Sequence, residues 1–262
     1  MDVRKLVRGS PEWDDIERIG QLVTDEYVDS SEGKFEFILS DNWLSTVCVV
    51  NERIFLKMVT RQNTAIHRVF TASRNAGSLS ITGNLLFDRF ESPIEMVEYE
   101  HRTLRRMQDA GVNAPSPIDT FEYNGVGVLL AEYINELQYL TEISEKEKYI
   151  SSVFNQLRTL HDAGIGHGDI RGENLIISND ELYFIDPTNI RTHNDFKYYD
   201  LASALATIAP LIGEQETVQV ALDYYSEQEV MQARRFVPII SIRPDHEFNQ
   251  TKLQSTIIEE VG

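Results

Sequence analysis

Three polar residues at fixed spacing carry the chemistry that this sequence suggests. The segment His167-Gly168-Asp169-Ile170-Arg171-Gly172-Glu173-Asn174 places an Asn five residues after an Asp, and Asp186 follows that Asn by twelve residues. Carboxylate and amide oxygens are the ligands that Mg²⁺ prefers. We therefore expect Asn174 and Asp186 to bind a metal ion, with Asp169 orienting an attacking hydroxyl or water.

A predicted β-hairpin would position the two metal ligands. Leu175–Ser178 and Leu182–Ile185 are short apolar runs separated by the turn residues Asn179-Asp180, which is typical of two antiparallel strands. Asn174 precedes the first strand and Asp186 follows the second. Because a hairpin brings its two ends together, these side chains are predicted to lie side by side.

The same segment resembles the catalytic loop of the protein-kinase-like superfamily, in which H-[RG]-D-x-x-x-x-N precedes a metal-binding Asp. The His-Gly-Asp version at residues 167–169 is similar to atypical kinases, the RIO type in particular, and to aminoglycoside-type phosphotransferases. The resemblance implies ATP and Mg²⁺ as cofactors, with Asp169 as the base and Asn174 and Asp186 as metal ligands. For Arg171 it leaves two roles open, a contact to the transferred phosphoryl group or a structural ion pair.

Upstream residues extend the resemblance to the nucleotide. Lys57 lies in the otherwise apolar strand candidate Arg53–Val59, and a buried Lys is costly unless it is paired or faces a ligand. In the family this Lys holds the α/β-phosphates and pairs with a helix Glu. Glu100 is our candidate, since Glu100-x-x-x-Leu104…Gly111-Val112 is similar to the corresponding run of RIO-like kinases, and Glu98 is its competitor.

Two further segments resemble parts of a nucleotide site. Ala131-Glu132-Tyr133-Ile134 is similar to the hinge, where backbone groups of Glu132 and Ile134 would meet the adenine edge. The phosphate-covering loop would be residues 40–46, which contain no glycine. Close backbone approach to phosphates is therefore less favoured, and we expect the hydroxyls of Ser45 or Thr46 to donate instead.

The elements that must position these residues have an α+β order. Helical periodicity covers Pro11–Tyr27 and Pro93–Ala110, the latter ending at Gly111. Residues 61–92 are predicted to be an insertion with a short helix. Beyond Glu142 the chain is predicted to be mainly helical. The strand candidates outside the catalytic hairpin are Lys34–Leu39, Thr46–Asn51, Arg53–Val59, Ile118–Tyr123 and Gly127–Tyr133.

This order predicts a two-lobed protein-kinase-like fold. Residues 1–134 would form an N-terminal helix and a lobe with a small antiparallel sheet and one helix, and residues 135–262 a mainly helical lobe with the catalytic loop. Asp200 matches a family Asp that braces this loop. It follows Asp186 by only fourteen positions, which leaves a short activation segment, and Pro187 directly after Asp186 disfavours a flipping switch.

The composition sets limits on partners. The 262 residues carry a formal net charge of −18, with seven Lys among 24 basic residues, which favours a salt-rich, halophilic cytoplasm over an ordinary acidic protein. The charge disfavours a nucleic-acid partner, no segment predicts a signal peptide or a membrane span, and Cys48 is expected to be a buried hydrophobe. We expect a cytoplasmic protein.

Three functions remain open at this stage. The first is a RIO-like serine/threonine protein kinase or ATPase, whose protein or small-molecule hydroxyl acceptor is not identified. The second is a small-molecule phosphotransferase of the aminoglycoside or choline-kinase type, and the third is a nucleotide-binding pseudokinase that acts as a scaffold. The sequence sets no oligomeric state.

Overall fold

The computed structural model describes residues 9–28, 34–37, 44–192, 195–243 and 246–262. It divides into two compact units. The first takes in the chain up to Ala72 together with Arg89–Arg105 and Pro115–Asn135, and the second takes in Ser73–Asp88, Arg106–Ala114 and Glu136–Gly262.

The secondary structure is mixed α+β, as predicted. The strands are β1 (Phe35–Phe37), β2 (Thr46–Val50), β3 (Ile54–Val59), β4 (Pro117–Tyr123), β5 (Val126–Glu132), β6 (Gln138–Tyr139), β7 (Leu175–Ser178) and β8 (Glu181–Phe184). The α-helices are α1 (Trp13–Tyr27), α2 (Arg61–Thr82), α3 (Pro93–Asp109), α4 (Glu147–Asp162), α5 (Phe196–Ile212), α6 (Glu214–Leu222), α7 (Glu227–Ala233), α8 (Val237–Ser241) and α9 (Gln250–Val261). Short 3₁₀ turns span Gly172–Asn174 and Arg234–Phe236.

An antiparallel sheet forms the centre of the first unit. Within the described residues its strand order is β1-β2-β3-β5-β4. The β2–β3 hairpin turns at Asn51 and Glu52, whose φ angles of 51° and 56° are those of a tight hairpin turn. Arg53 N–H closes the turn by donating to the Val50 carbonyl at 3.1 Å. The predicted hairpin is thus confirmed. Of the predicted strand Lys34–Leu39, residues 35–37 form β1, and residues 38 and 39 lie outside the described part.

Helix α1 covers one face of this sheet. Ile19 and Val23 are fully buried among apolar residues of β2, β3 and β5, including Leu56, Met58 and Leu130. Burying a side chain of this kind contributes about 1.5–3 kcal/mol. Cys48 joins the same cluster, and burial raises the pKa of its thiol to about 12. The interpretations of the first helix and of the cysteine are confirmed.

The prediction of a short helix within residues 61–92 is wrong, because α2 runs for 22 residues. Its start is capped by Asn63, whose Oδ1 accepts from Thr60 N–H at 2.8 Å. Its buried side is largely polar: Asn75 Nδ2 donates to the Phe87 carbonyl at 2.9 Å and Asn75 Oδ1 accepts from Phe87 N–H at 2.9 Å. Satisfied amides replace the apolar periodicity that a sequence pattern detects.

The second unit is built around the apolar helix α5. Leu201, Ala204, Leu205 and Ile208 are fully buried along it. Strands β6, β7 and β8 form an antiparallel sheet in that order. The β7–β8 turn has Asn179 and Asp180 at φ 49° and 63°, which confirms the predicted hairpin. This hairpin carries the candidate metal ligands at its two ends.

Two segments assigned to the first domain from sequence group with the second unit, namely residues 73–88 and 106–114. Hydrogen bonds and an ion pair within that unit explain the grouping. Arg191 and Asp88 pair at 2.7 Å, and Phe184 N–H donates to the Asn113 carbonyl at 2.9 Å. The boundary predicted between residues 134 and 135 lies one residue before the point, between Asn135 and Glu136, where the chain finally passes from the first unit to the second. In the described residues, no helix is both long and apolar enough to cross a membrane.

The net charge of −18 generates a prediction about salt. Raising the salt concentration from 0.1 to 1 M shortens the Debye length from about 10 Å to about 3 Å and screens the repulsion among carboxylates. We expect the free energy of unfolding to rise by about 1–2 kcal/mol, or about 2–8 °C in the thermal midpoint. KCl and NaCl should act alike in calorimetric scans, since screening depends on ionic strength. An unchanged or lower midpoint in both salts would contradict this.

Candidate active site

The buried carboxylate of Asp200 holds the backbone of the candidate catalytic loop. Asp200 is fully buried in α5. Its Oδ2 accepts from His167 N–H and its Oδ1 from Gly168 N–H, both at 2.7 Å. Both oxygens of this buried side chain are thus satisfied by backbone donors. The structure therefore places Asp200 as the brace of the loop, the role that the family resemblance implied.

Gly168 is required by this loop on two grounds. Its φ of +77° is in the left-handed region that favours glycine. A Cβ at this position would lie 2.7 Å from Thr188 Cγ2 and 3.0 Å from Ile190 Cβ. The chain after Asp186 is tied to the same loop, because Thr188 N–H donates to the His167 carbonyl at 2.8 Å.

His167 has a structural position in the loop. Its side chain is fully buried. Burial lowers the pKa of His167, an effect that the nearby carboxylates of Asp200, Asp169 and Asp186 oppose in part. Its Nδ1 accepts from Asp169 N–H at 3.3 Å, so the neutral imidazole fixes the backbone direction at Asp169.

Asn174 links the candidate base to the candidate metal site. Its Nδ2 donates to the Asp169 carbonyl at 2.8 Å and to Asp169 Oδ2 at 3.1 Å, which leaves Oδ1 as the atom that a cation would use. Ile185 N–H donates to the Asn174 carbonyl at 3.1 Å, so the hairpin ends meet one residue before Asp186. Asp186 has a φ of 58°. This pair of oxygen donors fits a Mg²⁺ site.

The described residues contain no group of three or more His, Cys, Asp or Glu side chains that could hold a metal by themselves. Mg²⁺ is usually held by one or two protein oxygens together with substrate phosphates. Asn174 and Asp186 are therefore sufficient as the protein's share of such a site, provided that a phosphate compound supplies further oxygens.

Three arginines contact the carboxylate of Asp169. Arg243 Nη2 lies 2.5 Å from Oδ1, Arg74 Nη2 lies 3.0 Å from the same oxygen, and Arg171 Nε lies 3.3 Å from Oδ2. Burial alone would raise the pKa of Asp169, but Arg243, Arg74 and Arg171 outweigh it and hold that pKa well below its usual range. Asp169 is thus ionised and well oriented, but a weak proton acceptor while all three contacts persist.

Sequence reasoning missed two of these arginines. Arg74 lies in α2 and Arg243 follows α8, at 95 and 74 positions from Asp169. No local pattern marks either residue, since the contact exists only through the tertiary fold. For Arg171 the structure shows the ion-pair alternative, with Nη1 also 3.1 Å from Glu173.

The candidate nucleotide-binding Lys of the first unit is paired as expected. Lys57 Nζ donates to Glu100 Oε2 at 2.8 Å, and both side chains are about nine-tenths buried. The competitor, Glu98, instead pairs with exposed Arg102 at 3.5 Å. In the sheet, Lys57 lies opposite Val47 on β2 and Leu129 on β5. Its ammonium group therefore has apolar neighbours, and the ion pair with Glu100 offsets the cost of burying its charge.

The other predicted nucleotide contacts stay predictions. Ser45 is 1% exposed and Thr46 is half-buried at the start of β2, while residues 40–43 of their loop lie outside the described part. Glu132 N–H already donates to the Ser116 carbonyl at 2.8 Å, so its own carbonyl is the group left to meet adenine. Ile134, two residues on, is half-buried.

Comparison with known proteins identifies related sequences over the candidate site. Residues 87–196 match the family model of the RIO domain. The KEOPS complex subunit Bud32 of Pyrococcus abyssi is 36% identical over 90 residues, which are 33% of this chain and 41% of that protein. The RIO-type serine/threonine-protein kinase Rio1 of Haloferax volcanii is 32% identical over 105 residues, or 39% of this chain and 36% of that protein. The match thus spans less than half the length of these relatives.

The fold is shared over nearly the whole chain with a solved structure. A proposed fructosamine-3-kinase from Haemophilus somnus superposes with a TM-score of 0.52 at 12% identity, covering 95% of this chain and 97% of that one. At this identity the likeness establishes the fold alone, which is the protein-kinase-like α+β fold expected from the sequence.

Two glycines of the second unit give a matched test of the loop. Gly168 and Gly164 both have positive φ, at 77° and 66°, but a Cβ on Gly164 meets nothing within 4 Å. Gly164→Ala should cost only the left-handed backbone penalty, roughly 1–2 kcal/mol. Gly168→Ala should cost roughly 1–3 kcal/mol beyond that, because its Cβ overlaps Thr188 and Ile190. Urea unfolding measures both, and equal losses would contradict the assigned overlap.

Proposed function

We propose that the protein is an ATP-dependent phosphotransferase that uses Mg-ATP and acts as a RIO-like serine/threonine protein kinase, an ATPase or both, since residues 87–196 match the family model of the RIO domain. The observation that carries this proposal is the bonding of Asn174. Its amide nitrogen holds both the backbone and the side chain of Asp169, while its backbone joins the hairpin end next to Asp186. Base and metal ligands are thereby positioned by one residue.

The proposed reaction transfers the γ-phosphoryl group of ATP to a hydroxyl. The acceptor O–H bond breaks and its proton passes to Asp169, a new O–P bond forms, and the bond from the γ-phosphorus to the bridging oxygen breaks with its electron pair leaving on ADP. Mg²⁺ held by Asn174 and Asp186 would neutralise phosphate charge. The protein contributes chiefly position and electrostatics, since a phosphoryl transfer of this type needs no covalent enzyme intermediate.

Residues of the first unit would hold the nucleotide. In this proposal Lys57, oriented by Glu100, contacts the α/β-phosphates, and the Glu132 carbonyl and Ile134 N–H meet the adenine edge. Thr46, or Ser45 if its loop opens, donates a hydroxyl to the phosphates. The buried Lys57–Glu100 pair supports this part, because a buried ion pair contributes little net stability of its own and is retained more readily where it has another use.

A small-molecule phosphotransferase is the second candidate. Asp200 follows Asp186 by fourteen positions, which leaves little chain for a peptide-docking surface.

Membership of a larger complex, as the name of the Bud32 relative indicates for that protein, is a further proposal. A pseudokinase is disfavoured, since Lys57, Asp169, Asn174 and Asp186 are all present. A cytoplasmic, salt-rich setting completes the proposal, where ATP and Mg²⁺ are available and salt screens the charge.

The two aspartates of the β7–β8 hairpin provide the decisive comparison. Asp186 and Asp180 both have left-handed φ, at 58° and 63°, and Asn tolerates that conformation. Asp186→Asn should lower turnover of γ-labelled ATP in Mg²⁺ and about 1 M KCl by at least about 100-fold, because it removes a metal ligand's charge. Asp180→Asn, which alters an exposed pair with Lys148 and a hydrogen bond from the Tyr149 hydroxyl, should change turnover less than twofold. The assay measures both the label transferred to protein and the labelled free phosphate, which report protein phosphorylation and ATP hydrolysis.

The outcomes separate the candidates. Wild-type activity in Asp186→Asn would sink the proposed phosphotransfer. If the wild type binds ATP without turning it over, the pseudokinase or an enzyme awaiting its small acceptor takes precedence. Lys57→Met provides an independent measure, since we expect it to weaken ATP binding while the far-UV circular dichroism of the protein is retained.

A further inference from the structure

The proposed reaction makes no use of two arginines that hold its base. Arg243 and Arg74 contact the same oxygen of Asp169, Oδ1, at 2.5 and 3.0 Å. Both residues lie outside residues 87–196, the part of the chain that matches the RIO domain. The family match therefore assigns them no role.

Both arginines are held in fixed positions. Arg74 lies in α2 with its guanidinium 5.4 Å from the centre of the Phe87 ring, and its side chain is 20% exposed. Arg243 Nη1 donates to the Tyr199 hydroxyl at 3.2 Å, and its side chain is 7% exposed. Taking guanidinium groups out of water is costly, so two of them held against one carboxylate oxygen are an unusual arrangement.

The contacts also obstruct the base. Oδ1 of Asp169 accepts hydrogen bonds from Arg74 and Arg243. Oδ2 accepts one from Asn174 and lies 3.3 Å from Arg171 Nε in an ion pair. An acceptor hydroxyl must reach one of these oxygens to give up its proton. An anion that accepted hydrogen bonds from Arg74 and Arg243 would release Oδ1, and its own charge would replace that of the carboxylate as their partner.

We infer that Arg74 and Arg243 form an anion-binding subsite beside Asp169, and that the phosphoryl acceptor is a small hydroxyl compound carrying a phosphate or carboxylate group. This inference rests on the proposed ATP-dependent phosphotransfer and selects a small molecule, rather than a protein, as the acceptor. Guanidinium groups bind both anions through paired hydrogen bonds. Once the anion of the acceptor is bound to the arginines, its hydroxyl lies next to the oxygen that has been released.

The overall charge favours a small acceptor over an acidic protein. The chain carries −18, so a polyanionic macromolecule is repelled over its whole surface, whereas a small anion meets mainly the local field. At Asp169 a small anion would meet three guanidinium groups within 3.3 Å of the carboxylate, although the carboxylates of Asp186 and Asp200 also act on this loop.

Binding of glycerol 3-phosphate, with glycerol as the neutral probe, tests the subsite directly. Isothermal titration is done in Mg²⁺ and saturating β,γ-methylene-ATP, so that the nucleotide phosphates occupy their own positions. We expect Arg74→Gln and Arg243→Gln each to weaken glycerol 3-phosphate binding at least tenfold. Arg102→Gln, which removes the same charge from an exposed helix pair, should leave it unchanged, and Arg74→Lys should retain part of the affinity.

Two results would overturn the inference. One is the absence of glycerol 3-phosphate binding to the wild type. The other is equal affinity in wild type, Arg74→Gln and Arg243→Gln with only the thermal midpoint lowered, which would assign the arginines a purely structural role. Hydrolysis of γ-labelled ATP by wild type and Asp186→Asn, measured on the same preparations, separates this failure from failure of the proposed function.

Discussion

The buried contact of Asp200 with the amides of His167 and Gly168 is the interaction on which the candidate site depends. It anchors the loop to helix α5 at the left-handed turn of Gly168, directly before Asp169. Without that anchor, Asn174 would have no fixed base to hold. The side chain can remain fully buried here because two backbone donors replace its hydrogen bonds to water.

The site combines rigidity with an unusual distribution of charge. A chain of net charge −18 gathers three arginines around one carboxylate. Those arginines keep Asp169 ionised but lower its pKa, so its carboxylate is a weak proton acceptor as long as all three contacts persist. Any step that moves guanidinium groups away from Oδ1 would raise the pKa of Asp169 toward that of an effective base.

The match to the RIO domain covers residues 87–196, whereas the likeness to a solved kinase-like structure covers 95% of the chain. The domain match ends at residue 196 and contains the loop, the hairpin and both metal-ligand candidates. Arg74 and Arg243 come from a helix before that stretch and from a segment after it. The family match thus covers the candidate catalytic loop and metal ligands, while two of the three arginines at Asp169 come from segments outside it.

Local rules were enough to predict much of this protein. The turn residues of both hairpins adopt the left-handed angles that their types favour, α3 ends before Gly111 at φ 83°, and the spacing of Asp169, Asn174 and Asp186 predicted that they lie close along one loop and hairpin. These features depend on short-range geometry, which is determined by residue type and by the spacing of apolar residues.

Tertiary structure decided the features that depend on distant segments. The 22-residue α2 is stabilised by buried amides rather than an apolar stripe, Glu100 rather than Glu98 faces Lys57, and Arg74 and Arg243 reach Asp169 across 95 and 74 positions. Contacts of that kind follow from packing between distant segments, for which the sequence carries no local signal.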